Sequence, residues 1–150
     1  MNLINQVYVE FASKSINEGF ARSLVSSLLA QIDPIIEEVE DVKTVVSEVV
    51  TNSIIHGYEH KDEESLITLK LLLYENSIEI VCSDFGGGIK NIEQARQPLF
   101  TSKPDLERSG LGFTIMENFM DDIQITSEIG KGTTVKLNKK FRSIVSKVAV

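Results

Sequence analysis

Two apolar runs, residues 66–74 and 78–83, are separated only by Glu75-Asn76-Ser77. A joint that short makes the two runs an antiparallel hairpin. The arrangement recurs near the end of the chain, where 123–127 and 133–141 flank Gly130-Lys131-Gly132. Helical patterns interleave with these pairs. Phe20, Leu24, Leu28 and Ile32 recur at spacings of four, and Val39, Val42, Val46, Val49 and Val50 form an apolar stripe. Val7, Val9 and Phe11 alternate with Tyr8 and Glu10 and suggest a first strand. Hairpins and helices in this order predict an α+β fold, with a mixed or antiparallel sheet covered on one face by helices.

Several boundaries are also legible. Ser15 stands three residues before Glu18, the pattern of a capping box at a helix start. Asp33-Pro34 breaks the first helix, which should run to about Ile32. Gly57 is a plausible terminator of the second helix, and residues 59–65 read as a polar loop. Residues 90–109 have two prolines and no clean period, so they predict a long functional loop with one helical turn at most. Residues 110–120 read as a helix with Phe113, Met116, Phe119 and Met120 on its buried side, while 142–150 carry no assignment. Without repeats or a linker, residues 1–150 read as a single domain.

Charge and composition narrow the function. A formal net charge of −7 suits neither a nucleic-acid nor an anionic-membrane surface, since neutralising phosphates needs clustered Lys and Arg. Nucleotide binding stays open when backbone N–H groups and a metal ion take the phosphates. Cys82 is the only cysteine, which excludes an intrachain disulfide and a Cys-rich zinc site. No apolar run approaches the ~20 residues of a spanning helix. The start of the chain lacks the basic and apolar pattern of a signal peptide. The expected location is cytoplasmic.

Three segments carry the chemistry. Glu48, Asn52 and His56 stand at steps of four on the valine-rich helix, so they share one face, drifting ~40° per step. Asp84 follows an apolar strand and precedes Gly86, Gly87 and Gly88, whose lack of side chains lets backbone approach a ligand. Gly110-Leu111-Gly112 opens a helix, where free N–H groups and the helix dipole favour phosphate. The Gly-x-x-x-x-Gly-Lys pattern of a P-loop is absent, and no parallel βαβ unit supports a Rossmann reading.

In this order and spacing the segments resemble the N, G1 and G2 boxes of the GHKL ATPases, whose fold is the two-layer Bergerat sandwich with an ATP lid. That resemblance implies a Mg-ATP site in a histidine-kinase-like ATPase domain. Asn52 would hold Mg2+ against the phosphates. Glu48, one turn earlier, is placed to accept a proton from an attacking hydroxyl. Asp84 would accept a hydrogen bond from the adenine amino group, where guanine presents a carbonyl. Gly86, Gly88, Ser109, Gly110 and Gly112 would line the nucleotide. His56 reads equally as a site residue and as a packed histidine at the helix end.

The segment from Ala95 through Lys103-Pro104 to Gly110, with 112–121 and Glu18-Gly19-Phe20-Ala21-Arg22, resembles one subfamily, the anti-sigma F serine kinases of endospore-forming bacteria. The resemblance runs from about Tyr8 to Phe141. It implies that Thr101, Lys103 and Arg108 face the phosphates, with Arg108 closest to the transferred group. It implies that Arg22 meets protein partners. It further implies a homodimer that holds sigma factor F when ATP rather than ADP is bound, and that phosphorylates an anti-anti-sigma factor on serine. Phe85 and Gly87 depart from related kinases without removing an essential side chain. The alternatives are a general-stress anti-sigma kinase of the same fold and a non-catalytic, ATP-gated sigma-binding module.

Overall fold

A computed structural model describes residues 2–58, 61–97 and 112–144. In chain order the elements are β1 (Leu3–Ala12), α1 (Ile16–Leu29), α2 (Ile36–Asn52), a π-helical turn (Ser53–Gly57), β2 (Leu66–Tyr74) and β3 (Ser77–Asp84). Then come α3 (Ile92–Ala95), α4 (Gly112–Phe119), β4 (Asp122–Glu128) and β5 (Gly132–Lys140). Among the described residues the strands form one sheet in the order β1-β2-β3-β5-β4. Every neighbouring pair is antiparallel, which resolves the mixed-or-antiparallel expectation.

Both expected hairpins form. Leu73 pairs with Ile78 across the first turn, and Glu128 pairs with Gly132 across the second. Side chains alternate in and out along a strand, so β2 sends Ile67, Leu69, Leu71 and Leu73 to one face. β3 adds Ile78, Ile80 and Cys82, and β5 adds Val135 and Leu137. On the same core lie Val42, Val45, Val46, Val49 and Val50 of α2, Val25, Leu28 and Leu29 of α1, and Phe113 and Met116 of α4. The β-branched residues of α2 have modest helix propensity, and this burial is what holds them helical. The opposite sheet face is polar: Tyr8 is 60% exposed, and Lys136 pairs with Glu79 at 3.0 Å.

Two local expectations need correction, and one segment left unassigned has structure. The capping box does not form: Ser15 is itself in helical conformation and its side chain makes no cap bond. Glu18 instead turns sideways, accepting from Ser47 of α2 and from Arg22 Nη1 at 3.1 Å. Residues 30–33 are not helix; Ile32 and Asp33 both hydrogen-bond to the Leu29 carbonyl, and Asp33 takes a φ of 53°. The segment after β5, unassigned from sequence, is a clasp. Phe141 is fully buried, and the N–H groups of Arg142 and Ser143 donate to Glu38 at 2.9 and 3.1 Å. Ser143 Oγ accepts from Ile35 N at 3.1 Å, so it satisfies a free donor at the start of α2.

Candidate nucleotide site

The site lies where α2 runs out beside the end of β3. Glu48 and Asn52 occupy the last turns of α2, partly exposed, while Val45, Val46, Val49 and Val50 point into the core. Past Asn52 the helix widens into the π-helical turn, a form with i→i+5 bonds that recurs at functional sites. The 3.6-residue spacing argument therefore holds for Glu48 and Asn52 but not for His56, which sits inside the wider turn. His56 is partly buried there.

Asp84 closes β3 and is 5% exposed. Its Oδ1 accepts from Gly86 N at 3.0 Å, and Ser53 and the Thr133 N–H also bond its carboxyl. Burial pushes this carboxyl above its ordinary range, and the three hydrogen bonds oppose that rise without cancelling it.

Close backbone approaches shape the loop after Asp84. A Cβ on Gly86 would lie 1.4 Å from the Gly57 carbonyl oxygen. Gly88, at φ +81°, would place a Cβ 2.5 Å from the Glu128 carbonyl oxygen. Both positions exclude a side chain because the loop packs there on the protein's own backbone, at Gly57 and Glu128. Gly87 differs: a Cβ there meets nothing within 4 Å. Its N–H donates to the Gly57 carbonyl at 3.0 Å, and its carbonyl accepts from Gly130 N at 2.9 Å.

Tyr58 and Ser127 brace the same loop. The Tyr58 hydroxyl donates to the Leu66 carbonyl at 2.5 Å and accepts from Phe85 N at 2.9 Å. Ser127 Oγ accepts from Ile89 N at 2.7 Å. With Ser53 and Thr133, these residues escaped sequence reasoning. Each acts through a turn or a cross-strand partner, and only the position of Ser53, directly after Asn52, offered a clue.

The start of α4 approaches from the other side. A Cβ on Gly112 would lie 3.4 Å from Glu48 Oε2, so the first residue of α4 stands near the carboxylate. The structure thus brings Glu48 near Gly112, and Asp84 and Gly86 against Gly57, the residue after His56; Asn52 lies one turn past Glu48 on α2, and Gly88 packs on Glu128. Arg22 stands apart on α1, with 47% of its side chain exposed, paired with Glu18 beside Ser47. Thr101, Lys103, Arg108, Ser109 and Gly110 lie outside the described residues. Near the lid segment, Arg96 Nε pairs with Glu117 of α4 at 2.6 Å.

The histidine kinase-like ATPase domain family matches residues 11–139. An anti-sigma F factor of Clostridium beijerinckii is 54% identical over 93% of this chain and 97% of its own length. The chain belongs to the anti-sigma F factor family. Another member, from Geobacillus thermodenitrificans, is 51% identical over 90% of this chain and 92% of that protein. Among solved structures, the RsbU and RsbW domains of a Mycobacterium tuberculosis protein superpose with a TM-score of 0.64. They share 16% identity, over 95% of this chain and 35% of that one. A blue-light-activated histidine kinase domain of Erythrobacter litoralis gives 0.54 at 17% identity, over 87% and 62%. At those identities the likeness is one of fold. The anti-sigma F membership and the kinase-like ATPase fold agree with the three boxes read from the sequence.

Proposed function

We propose that this anti-sigma F family chain is a cytoplasmic, homodimeric protein-serine kinase using Mg-ATP. It holds sigma factor F in its ATP state and phosphorylates an anti-anti-sigma factor on serine. The observation that supports the reading is a spacing along α2 and its π turn: Glu48 stands near the Gly112 start of α4, and Gly57 stands against the buried carboxyl of Asp84. That spacing suits a nucleotide whose base meets Asp84 and whose phosphates reach the α4 start.

Each group has a chemical task. Asp84 accepts from the adenine amino group, with Gly86 and Gly88 lining the nucleotide in a loop packed on Gly57 and Glu128. Mg2+ retains waters and phosphate oxygens, so the single amide oxygen of Asn52 is a donor set that fits it. The metal would screen phosphate charge. Glu48 orients or deprotonates the attacking serine. The N-terminus of α4, with Ser109, Gly110 and Gly112, cradles phosphate. Thr101, Lys103 and Arg108 of the lid complete the charge balance, Arg108 at the transferred group. His56 contributes to the nucleotide side of the π turn, and Arg22 to the partner surface. No helix among the described residues is long and apolar enough to cross a membrane.

The deciding experiment is mass spectrometry of an anti-anti-sigma protein after incubation with this chain and Mg-ATP, with Asn52→Ala as control. A phosphoserine that needs the intact chain supports the kinase. Nucleotide-dependent complex formation without phosphate would leave an ATP-gated binding module.

A further inference from the structure

Behind Asp84 lies a buried polar side chain that the roles above do not use. Ser53 opens the π-helical turn, directly after Asn52, and is 8% exposed. Its hydroxyl bonds the Asp84 carboxyl and lies 3.7 Å from Cys82 Sγ. Cys82 is fully enclosed, with its thiol pushed up to about 12 by burial, so it is an S–H donor at any physiological pH.

A hydroxyl has one proton to give. The carboxylate is the stronger acceptor, so Ser53 donates to Asp84 and its oxygen takes the weak S–H bond from Cys82. Acceptor strength thus orders the donors from Cys82 to Ser53 to Asp84. An ionised carboxylate offers about four lone-pair sites. The N–H groups of Gly86 and Thr133 and the Ser53 hydroxyl fill three of them. The remaining site suits one donor from the base. We propose that Ser53, backed by Cys82, is a positioning residue for adenine selectivity, holding Asp84 with a single acceptor turned toward the base.

This inference rests on the adenine reading of Asp84. It is tested by measuring dissociation constants for ATP, GTP and a purine nucleoside triphosphate lacking the 6-amino group. The full chain and its Ser53→Ala and Ser53→Thr variants are compared. Ser53→Ala is expected to weaken ATP about three- to tenfold, the effect of one lost hydrogen bond. The nucleotide lacking the amino group should change little, so the preference for ATP shrinks. Ser53→Thr, which keeps the hydroxyl, should restore the preference, and thermal unfolding of each apo-protein checks the fold. An equal loss for all three nucleotides, or no loss, would overturn the positioning role, since a purely structural serine does not distinguish bases. If the unaltered chain itself shows no preference for the 6-amino group, the adenine reading of Asp84 fails, and this proposal fails with it. That outcome appears in the wild type and not in the variant comparison.

Discussion

Asp84 stabilises little by being where it is. A carboxyl raised in the folded state contributes stability below its unfolded value, and that contribution is lost as pH rises through the folded value. At neutral pH the buried charge of Asp84 is therefore a local destabilisation. Asp84→Asn should lower ATP affinity about tenfold or more, the loss of a bond to a charged acceptor. Its thermal midpoint at neutral pH should hold or rise, which calorimetry alongside ATP titration would reveal. Acid should mimic the variant, with ATP binding weakening as pH falls into the raised range of this carboxyl. Glu48 predicts the opposite split. Glu48→Gln should slow phosphoryl transfer by about 10²–10⁴-fold while leaving ATP affinity near wild type. Single-turnover transfer measured beside nucleotide titration checks it, and transfer at the wild-type rate would remove Glu48 as the base.

Among the elements, α2 links the site to the rest of the fold. Its C-terminal end carries Glu48 and Asn52, and its N-terminal end is clasped by the segment after β5 through Glu38, Arg142 and Ser143. Burial raises the Glu38 carboxyl, but the Ser143 side chain and the Arg142 and Ser143 N–H groups outweigh it, leaving it below its ordinary value. A depressed carboxyl contributes stability above its unfolded value and loses it as pH falls through the folded one. Glu38→Gln should therefore be less stable than wild type at neutral pH. The gap should close below the ordinary carboxylate range, as urea titrations at two pH values would show. The valine stripe and the turn residues made α2 and both hairpins legible in the sequence. The clasp was not, because Glu38 and Ser143 are more than a hundred residues apart and neither stands in a periodic pattern. Ser15 and Glu18 misled for a related reason: a local capping pattern lost to a tertiary partner, Ser47, that only folding supplies.

For the whole molecule, one helical layer on one sheet face gives one apolar core among the described residues to support the site. Leu71, fully buried at mid-strand, should cost about 2–5 kcal/mol when replaced by alanine, measured by chemical denaturation. Ligand should act the other way. A nucleotide that binds only the folded state at a hundred times its dissociation constant adds about 2.7 kcal/mol. Mg-ATP should thus raise the unfolding temperature of the wild type more than that of Asn52→Ala. At this scale the α+β class, the hairpins and the glycine boxes were readable because each has a local pattern. The supports of Asp84 and the loop after it, Ser53, Tyr58, Ser127 and Thr133, were not, since their partners are set by strand order and by the π turn.

Residue 87 shows what a side-chain survey would miss. Its Cβ direction is open, its φ is not in the left-handed region, and alanine there should be silent. Yet its amide and carbonyl tie the end of the helical layer to the β4–β5 turn, through Gly57 and Gly130. Conventional mutagenesis replaces side chains and leaves both ties intact. Only an atom-level edit of the main chain, such as an ester in place of that amide, would expose how far the loop after Asp84 depends on these two ties.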